Sequence, residues 1–174
     1  MSFEQDRQSL IAHMEGMGMD YQSSSENLII QDRTDVRKGF NLDESDDIWK
    51  PWYDDSARLP FHDLLKNILI TIRRVNDCKL FALDSLSALY ALSESIDNPR
   101  YSIYHFFSAL RRSGVTSLLI SEVMGTGSEG TFSRYGIEDF LSDGIIQLQL
   151  TTERNVDTQL RIRCVKMRRS EISR

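Results

Sequence analysis

The chain has 174 residues, enough for one domain with a hydrophobic core. Hydrophobic residues make up 40% and charged residues 27%, a composition that excludes fibrous and disordered classes and is typical of a soluble globular protein. The sequence has no apolar run of membrane-spanning length and no signal-peptide pattern, so we expect a cytoplasmic protein without a membrane partner. The net charge of −5 argues against a protein that coats nucleic acid.

The charge is unevenly distributed along the chain. Acidic residues crowd one stretch, which contains Asp43, Glu44, Asp46, Asp47, Asp54 and Asp55. Basic residues crowd the tail, which contains Arg154, Arg161, Arg163, Lys166, Arg168, Arg169 and Arg174. The two patches are either solvated faces or surfaces that meet on neighbouring subunits.

The cysteines and histidines do not indicate a metal site. Cys78 and Cys164 lie in or beside strand-like stretches, without metal-ligand or CxxC spacing. We therefore expect both thiols to be reduced and mostly buried. The three histidines are scattered and form no zinc pattern.

The opening residues predict the end of a strand followed by a helix. Residues 1–5 are typical of a strand that is ending, and Asp6 is suited to cap the helix that follows. Apolar residues then recur at helical spacing up to Gly18, which is expected to end the helix; they are Leu10, Ile11, Met14 and Met17. Residues 28–30 are expected to form a second short strand.

Residues 31–60 form an acidic stretch that contains tryptophan and proline. The stretch is long for a loop in a compact domain, so it is either a functional insertion or a partly disordered segment. Trp49, Trp52 and Tyr53 either pin the insertion onto the core, which is the interpretation we favour, or contact a partner.

The clearest helical pattern follows at residues 61–75. Its apolar stripe consists of Phe61, Leu64, Leu65, Ile68, Leu69, Ile72 and Val75. A short apolar run then ends at Asp84 and predicts a buried parallel strand covered by helices on both faces. Asn98 and Pro99 predict the start of another helix, which Gly114 ends. Its expected core face consists of Ile103, Tyr104, Phe107 and Leu110.

The rest of the chain predicts three more strands. Residues 115–122 repeat the pattern of an apolar run that ends in a carboxylate, here Glu122. A short helix at residues 137–141 precedes two alternating stretches, which predict an antiparallel pair. The order of elements indicates an α/β fold, with a mostly parallel sheet flanked by helices and a C-terminal antiparallel strand pair, in one domain of residues 1–174.

Three acidic residues stand where predicted strands end: Glu4, Asp84 and Glu122. Because ligands of open α/β sheets bind at the carboxyl ends of strands, we expect these acids to share a crevice. Asp84 either holds Mg²⁺ beside a nucleotide phosphate or only caps the next turn. Glu4 is placed to orient or deprotonate a water that attacks the γ-phosphate. Glu122 either relays the state of the site to the next loop or, as we favour, is an exposed acid.

Phosphate-binding patterns are incomplete. Residues 125–130 match G-x-G-x-x-G, but Glu129 would repel a phosphate and no long helix follows, so we expect a surface loop. No G-x-x-x-x-G-K-[ST] occurs, and none of the nine glycines precedes a lysine. Lys166 and Arg168 flank Met167 and share one side of the last strand. They either bind a phosphate or form a solvated basic edge that prevents aggregation.

Four blocks of sequence, in order and at fitting spacing, carry a family resemblance. They are residues 2–6 with 18–20, residues 83–86, residues 133–140 with 142–144, and residues 165–168. On these blocks the sequence resembles a KaiC-like ATPase domain of the RecA superfamily. The Arg134-Tyr135-Gly136 block is the most specific, and the resemblance covers nearly the whole chain except the acidic insertion.

The resemblance implies a RecA-type core that binds ATP and Mg²⁺ between the subunits of a ring-like homo- or hetero-oligomer. Glu4 matches the family's catalytic glutamate, and Asp84 matches its Walker B aspartate. Further residues match positions that contact the nucleotide held by the neighbouring subunit; they are Lys166, Met167, Arg168 and Ser170.

The chain also departs from the family pattern. Gln5, Arg169 and Ile172 stand where the family has a second glutamate, a glycine and a histidine. An amino-terminal strand, P-loop and helix are missing ahead of Phe3, so we expect a domain that is incomplete at its N-terminus, either a fragment or a natural truncation. Such a chain is expected to hydrolyse little ATP alone.

Two functions are therefore predicted. The first is a KaiC-like ATP-binding or ATPase domain in which Glu4 activates water, Asp84 binds Mg²⁺, and Lys166 with Arg168 contacts phosphate in trans. The second is a non-catalytic regulatory or interaction subunit that assembles with a complete homologue. The acidic balance disfavours a third, a recombinase-like DNA-binding paralogue.

Overall fold

A computed structural model describes residues 1–38, 60–93, 98–122, 134–153 and 157–168. Within these ranges the helices are α1 (Arg7–Gly16), α2 (Tyr21–Ser24), α3 (Arg33–Lys38), α4 (Phe61–Arg74), α5 (Leu86–Leu92), α6 (Pro99–Arg112) and α7 (Ile137–Leu141). The strands are β1 (Leu80–Leu83), β2 (Thr116–Leu119), β3 (Gly144–Glu153) and β4 (Asp157–Met167). This confirms the predicted α/β class. The aromatic cluster around Trp49, the loop at 125–130 and Ser170 lie outside the described residues.

The N-terminal residues extend a parallel sheet. β1 and β2 pair in parallel from Leu80↔Thr116 to Leu83↔Leu119. On the other side of β1, Ser2 forms a parallel bridge with Asp84. The Phe3 N–H donates to the Asp84 carbonyl at 2.6 Å. The chain therefore begins on a strand position beside β1, as the sequence predicts.

The prediction of a strand at residues 28–30 is wrong. These residues have no strand assignment in the structure, although the Ser2 N–H donates to the Gln31 carbonyl at 2.8 Å. That hydrogen bond draws the segment alongside the N-terminal residues without forming a ladder. Ile29 is exposed and Ile30 is buried, so burial alternates along the run, but the run lacks the backbone pairing that defines a strand.

The hydrophobic core combines β1 with α4, α5 and α6. The predicted stripe of α4 is confirmed, with Phe61, Leu64, Leu65, Ile68 and Ile72 buried. The α6 face was predicted with one error, because Tyr104 is 51% exposed and Phe106 is 2% exposed. The buried set Ile103, Phe106, Phe107 and Leu110 follows the i, i+3, i+4, i+7 spacing of one helix face, and Tyr104 lies beside that face.

One face of the parallel sheet is open within the described residues. Phe81 and Leu83 are buried against the helices, while Leu80 is 58% exposed and Leu118 is 52% exposed. Ile120, beyond the end of β2, is exposed as well. The expectation of strands buried on both faces is therefore wrong for this part of the chain, because the core helices cover one face only.

The predicted antiparallel pair is confirmed. β3 and β4 pair from Gly144↔Met167 to Glu153↔Asp157, with an irregularity between Ile145 and Ile146. Gly144 lies close to its partner, since a Cβ there would meet the Met167 sulfur at 3.1 Å. Cys164 in β4 is exposed, so its expected burial is wrong, whereas Cys78 is partly buried.

Capping residues explain where the helices begin and end. Asp6 caps α1 by accepting from the Ser9 N–H at 2.8 Å, and Asn98 caps α6 through the Tyr101 N–H at 3.1 Å. Gly18 and Gly114 have positive φ angles of 79° and 72°, as glycines that end helices commonly do. None of the described helices is long and apolar enough to span a bilayer.

Candidate functional site

Glu4 and Asp84 lie at the ends of neighbouring parallel strands. Asp84 follows β1 directly, and its N–H donates to the Met1 carbonyl at 3.0 Å. Glu4 follows Phe3, whose N–H donates back to the Asp84 carbonyl at 2.6 Å. The strand pairing predicted from the sequence thus brings the two carboxylates to the same edge of the sheet.

Two buried serines connect these carboxylates across the strands. Ser2 and Ser85 are each 1% exposed. The Ser85 hydroxyl donates to the Glu4 carboxylate on the neighbouring strand. In the opposite direction, the Ser2 hydroxyl donates to Asp84 Oδ2 at 3.3 Å.

The backbone fixes the direction of these hydrogen bonds. Ser85 Oγ accepts from the Ala88 N–H at 3.0 Å, and Ser2 Oγ accepts from the Gln5 N–H at 3.1 Å. Because a hydroxyl has a single proton, each serine directs that proton to its carboxylate. One oxygen of each acid is held in this way. The other oxygen of each acid has no donor among the described residues, so within this part of the chain it is open to a ligand.

Ser85 bears on the interpretation in which Asp84 only caps the next turn. Ser85 is the N-cap residue of α5, a helix that the sequence reading missed. The alternative in which Asp84 caps this turn is therefore wrong. The missed pattern was a serine followed by Leu86, Leu89 and Tyr90 at helical spacing, and all three of these side chains are buried.

Glu122 is an exposed acid, as we favoured from the sequence. Its backbone N–H donates to Ser87 Oγ at 2.9 Å, which ties the end of this segment to α5. Its side chain has no hydrogen bond or ion pair with the described residues. The structure therefore does not add the Glu122 carboxylate to the pair formed by Glu4 and Asp84.

Lys166 and Arg168 hold the C-terminal end of α7. The Lys166 ammonium donates to the carbonyls of Asp139 at 2.6 Å, Ser142 at 2.7 Å and Phe140 at 3.3 Å. Arg168 Nη2 donates to the Phe140 carbonyl at 2.6 Å. The last carbonyls of a helix have no partners within it, and cationic donors satisfy them. A merely solvated basic edge is thus wrong for Lys166, whose three protons are all bonded.

Arg111 and Asp143 complete this basic cluster, although the sequence analysis assigned no role to either of them. Asp143 lies 3.4 Å from Arg111 Nε and 3.4 Å from Arg168 Nη1, and the Arg111 guanidinium also donates to the Leu141 carbonyl. Burial, followed by repulsion from Arg168, lowers the pKa of Lys166. Met167 packs against Gly144 and stays partly exposed. These contacts depend on folding that brings α6, α7 and β4 together, so no local sequence pattern shows them.

The basic cluster and the paired acids are separate in this structure. Neither Lys166 nor Arg168 has a hydrogen bond or ion pair with Glu4 or Asp84, all four of which are described. The candidate residues therefore form two groups, which we call the acidic half, at the sheet edge, and the basic half, at the end of α7.

The α/β fold, with its parallel strands and flanking helices, is that of a RecA-type ATPase domain. A family model described as the KaiC ATPase matches residues 1–174. The chain belongs to the KaiC ATPase family.

Several relatives match most of the chain. The circadian clock oscillator protein KaiC of Prochlorococcus marinus subsp. pastoris is 27% identical over 153 residues, which are 88% of this chain and 27% of that protein. The protein of the same name from Parathermosynechococcus lividus is 26% identical over 149 residues, 86% of this chain and 25% of that protein. The chain thus spans about a quarter of the length of these relatives.

A solved structure shows the same fold. The crystal structure of a KaiC-like protein from the hyperthermophilic archaeon Pyrococcus horikoshii superposes with a TM-score of 0.70 and 23% identity. The match covers 99% of this chain and 67% of that chain.

Proposed function

We propose that the chain is an ATP-binding and ATP-hydrolysing module of KaiC type that works between the subunits of a ring-like oligomer. The observation that carries this proposal is the pair Glu4 and Asp84 at the ends of adjacent parallel strands, each held by a buried serine of the other strand. The proposal treats residues 1–174 as one domain, with the acidic stretch of about 31–60 as an insertion.

Asp84 is the residue that would bind Mg²⁺. Ser2 donates to Asp84 Oδ2, and none of the residues that the structure describes donates to Oδ1. A carboxylate oxygen is the ligand type that Mg²⁺ prefers, so the residue present fits the ion. Bound there, Mg²⁺ would offset the negative charge of the phosphates.

Glu4 is the residue that would activate water. Its carboxylate is held on one oxygen by Ser85 and is otherwise exposed to solvent. The free oxygen can accept a proton from a water aligned with a γ-phosphate. Gln5, the next residue, has no basic oxygen and cannot share this role.

Lys166, Met167, Arg168 and Ser170 would contact the nucleotide held by a neighbouring subunit. In the chain alone, Lys166 directs all three of its protons at carbonyls of α7. Contact with a phosphate would require Lys166 to give up one of these bonds. Arg168 has five N–H donors and can reach a phosphate while it keeps its bond to Phe140.

The phosphate loop would come from sequence other than these residues, because no G-x-x-x-x-G-K-[ST] occurs among the 174. Backbone amides and the lysine of such a loop supply most of the affinity for the β- and γ-phosphates. We therefore expect these residues alone to bind ATP weakly and to hydrolyse little of it.

The test is an ATP titration with Mg²⁺, run on this chain alone and on the chain mixed with a complete KaiC-type homologue. The homologue should carry a substitution of its own catalytic glutamate, so that turnover reports on Glu4. We expect weak binding alone, and tight binding with turnover in the mixture. Absence of ATP binding in both settings would overturn the proposal.

One observation favours a second function, that of a non-catalytic subunit that docks on a complete homologue. Apolar side chains are exposed on the open face of β1 and β2 and along β3 and β4; they include Leu80, Leu118, Leu148, Leu160 and Ile162. Exposed apolar surface of this extent is typical of protein contacts. A stable complex with the homologue that shows no added turnover would favour this function over the first.

A further inference from the structure

A buried hydrogen bond joins α5 to α7. The Tyr90 hydroxyl donates to Glu138 Oε1 at 2.7 Å, and each of the two residues is 5% exposed. Tyr90 lies outside the blocks that carry the family resemblance, and Glu138 lies within the block 133–140, but the sequence analysis assigns a role to neither. The two residues are 48 positions apart along the chain. Their hydrogen bond is among the few buried polar contacts between side chains of the described residues.

The two helices that this bond connects lead to the acidic half and to the basic half of the candidate residues. α5 begins directly after Asp84, and its N-cap residue Ser85 holds Glu4. α7 ends at the carbonyls that hold Lys166 and Arg168. Tyr90 and Glu138 are thus a direct contact between the helix of the acidic half and the helix of the basic half.

The surroundings make this contact hard to replace. Glu138 Oε2 is buried and has no partner among the described residues, so loss of the Tyr90 hydroxyl would leave neither carboxylate oxygen with a donor from them. The Tyr135 ring packs edge-on against Tyr90 with ring centroids 4.9 Å apart, and Phe61 packs at 5.5 Å. Burial, and then the hydrogen bond to Glu138, raises the pKa of Tyr90, which keeps its hydroxyl protonated at neutral pH.

We propose that Tyr90 and Glu138 are positioning residues, whose hydrogen bond fixes α7 and thereby sets Lys166 and Arg168 relative to the paired acids Glu4 and Asp84. The consequence of this bond for ATP binding rests on the proposed function. The coupling between the bond and the position of α7 does not, because it exists in the chain without nucleotide. Breaking the bond should loosen the basic half without changing the middle of α4 around Ile68, which lies about two turns beyond the contact of Phe61 with the Tyr90 ring.

Hydrogen exchange measured by nuclear magnetic resonance, without nucleotide, tests this coupling. The Ser142 N–H donates to the Glu138 carbonyl at 2.8 Å and reports on α7, and the Arg168 N–H donates to the Asp143 carbonyl at 2.7 Å and reports on the segment directly after α7. The ammonium signal of Lys166 reports on the three carbonyls that it contacts. In Tyr90→Phe we expect these three sites to exchange about tenfold faster or more, since a hydrogen bond to a charged group is lost.

Two controls make the result specific. Tyr135→Phe removes a neighbouring hydroxyl from the same cluster without touching Glu138 and should leave exchange unchanged. Glu138→Gln keeps an acceptor oxygen but loses the negative charge, so we expect the exchange rates at the same sites to rise by about two- to fivefold. If Tyr90→Phe does not fold, this variant provides the test.

Amides inside α4, such as that of Ile68, distinguish coupling from general unfolding. Unchanged exchange at Ser142, Arg168 and Lys166 would overturn the proposal, and so would an equal acceleration at Ile68. Because no nucleotide is present, failure of this experiment leaves the ATP-binding proposal untouched, and failure of the ATP titration leaves this one untouched.

Discussion

The Ser85 hydroxyl donates to the carboxylate of Glu4 while Ser85 also caps α5. One side chain therefore holds the proposed water-activating acid and fixes the start of the helix that follows Asp84. The arrangement is repeated in reverse by Ser2 and Asp84, so each acid depends on a serine of the opposite strand. Both serines would have to be in place before the acidic half of the site has a defined geometry.

Replacing Ser85 with alanine should lower the free energy of unfolding by more than the loss of a helix cap alone does. Ser85→Ala removes the acceptor of the Ala88 N–H and the donor to Glu4, and we expect the free energy of unfolding to fall by about 2 kcal/mol. The matched control is Asn98→Ala, which removes the exposed cap of α6 and should cost about 1 kcal/mol. Urea denaturation of both variants provides the comparison. Equal losses would show that the bond to Glu4 contributes nothing.

Residue type and spacing were enough to predict the stripe of α4, the strand end at Asp84 and the antiparallel pair. These features depend on local periodicity, and each is long or bounded by clear capping residues. The juxtaposition of Glu4 with Asp84 could be predicted as well, because parallel strands end at one edge of a sheet.

The remaining features depend on tertiary contacts that periodicity does not show. The exposed position of Tyr104 differs by one residue from the buried face of α6, and the error arose because aromatic residues stand on both sides of that boundary. The hydrogen bond from Ser85 to Glu4 joins residues that are 81 positions apart along the chain. The bonds of Lys166 join it to residues at least 24 positions away. The open face of β1 and β2 likewise depends on which helices pack there, and strand composition does not determine this.

Lys166 should stabilise the folded chain through its own hydrogen bonds, in the absence of nucleotide. Lys166→Met keeps most of the stem but removes the three donors to α7, and we expect the free energy of unfolding to fall by about 1 kcal/mol. Lys79→Met is the control, since the Lys79 side chain is 79% exposed and pairs only with Asp77 among the described residues. That variant should change stability by less than about 0.5 kcal/mol. Equal effects on thermal unfolding would contradict the assigned role of Lys166.

Asp143 should matter little to stability although it lies between two arginines. Its side chain is 64% exposed, and both ion pairs are at 3.4 Å, so solvent screens them. We expect Asp143→Asn to cost less than about 1 kcal/mol at low salt and still less at 1 M salt. Denaturation at the two salt concentrations measures this. A large cost that persists at high salt would mean that Asp143 does more than form surface ion pairs.

Tyr90 should make the chain less stable at alkaline pH. Its folded pKa is raised above the ordinary value of 10.0, so it contributes stability that is fully present below pH 10 and is lost as pH rises above that value. Between pH 9 and pH 11 the free energy of unfolding should fall by about 1.4 kcal/mol more in the wild type than in Tyr90→Phe. Urea denaturation at both values measures the difference. The same pH dependence in the two proteins would contradict the buried position of the Tyr90 hydroxyl.

The two acids should have different effects on ATP, with Asp84 needed for Mg²⁺-dependent binding and Glu4 for hydrolysis. The most direct measurement is Mg²⁺-dependent ATP binding and turnover by the chain assembled with a KaiC-type homologue whose own catalytic glutamate is substituted. Asp84→Asn, Glu4→Gln and the exposed-acid control Glu122→Gln are compared with the wild type. We expect Asp84→Asn to abolish the gain in affinity from Mg²⁺, Glu4→Gln to bind ATP normally but lose turnover by about 100-fold or more, and Glu122→Gln to match the wild type. Wild-type binding and turnover in both Asp84→Asn and Glu4→Gln would contradict the account.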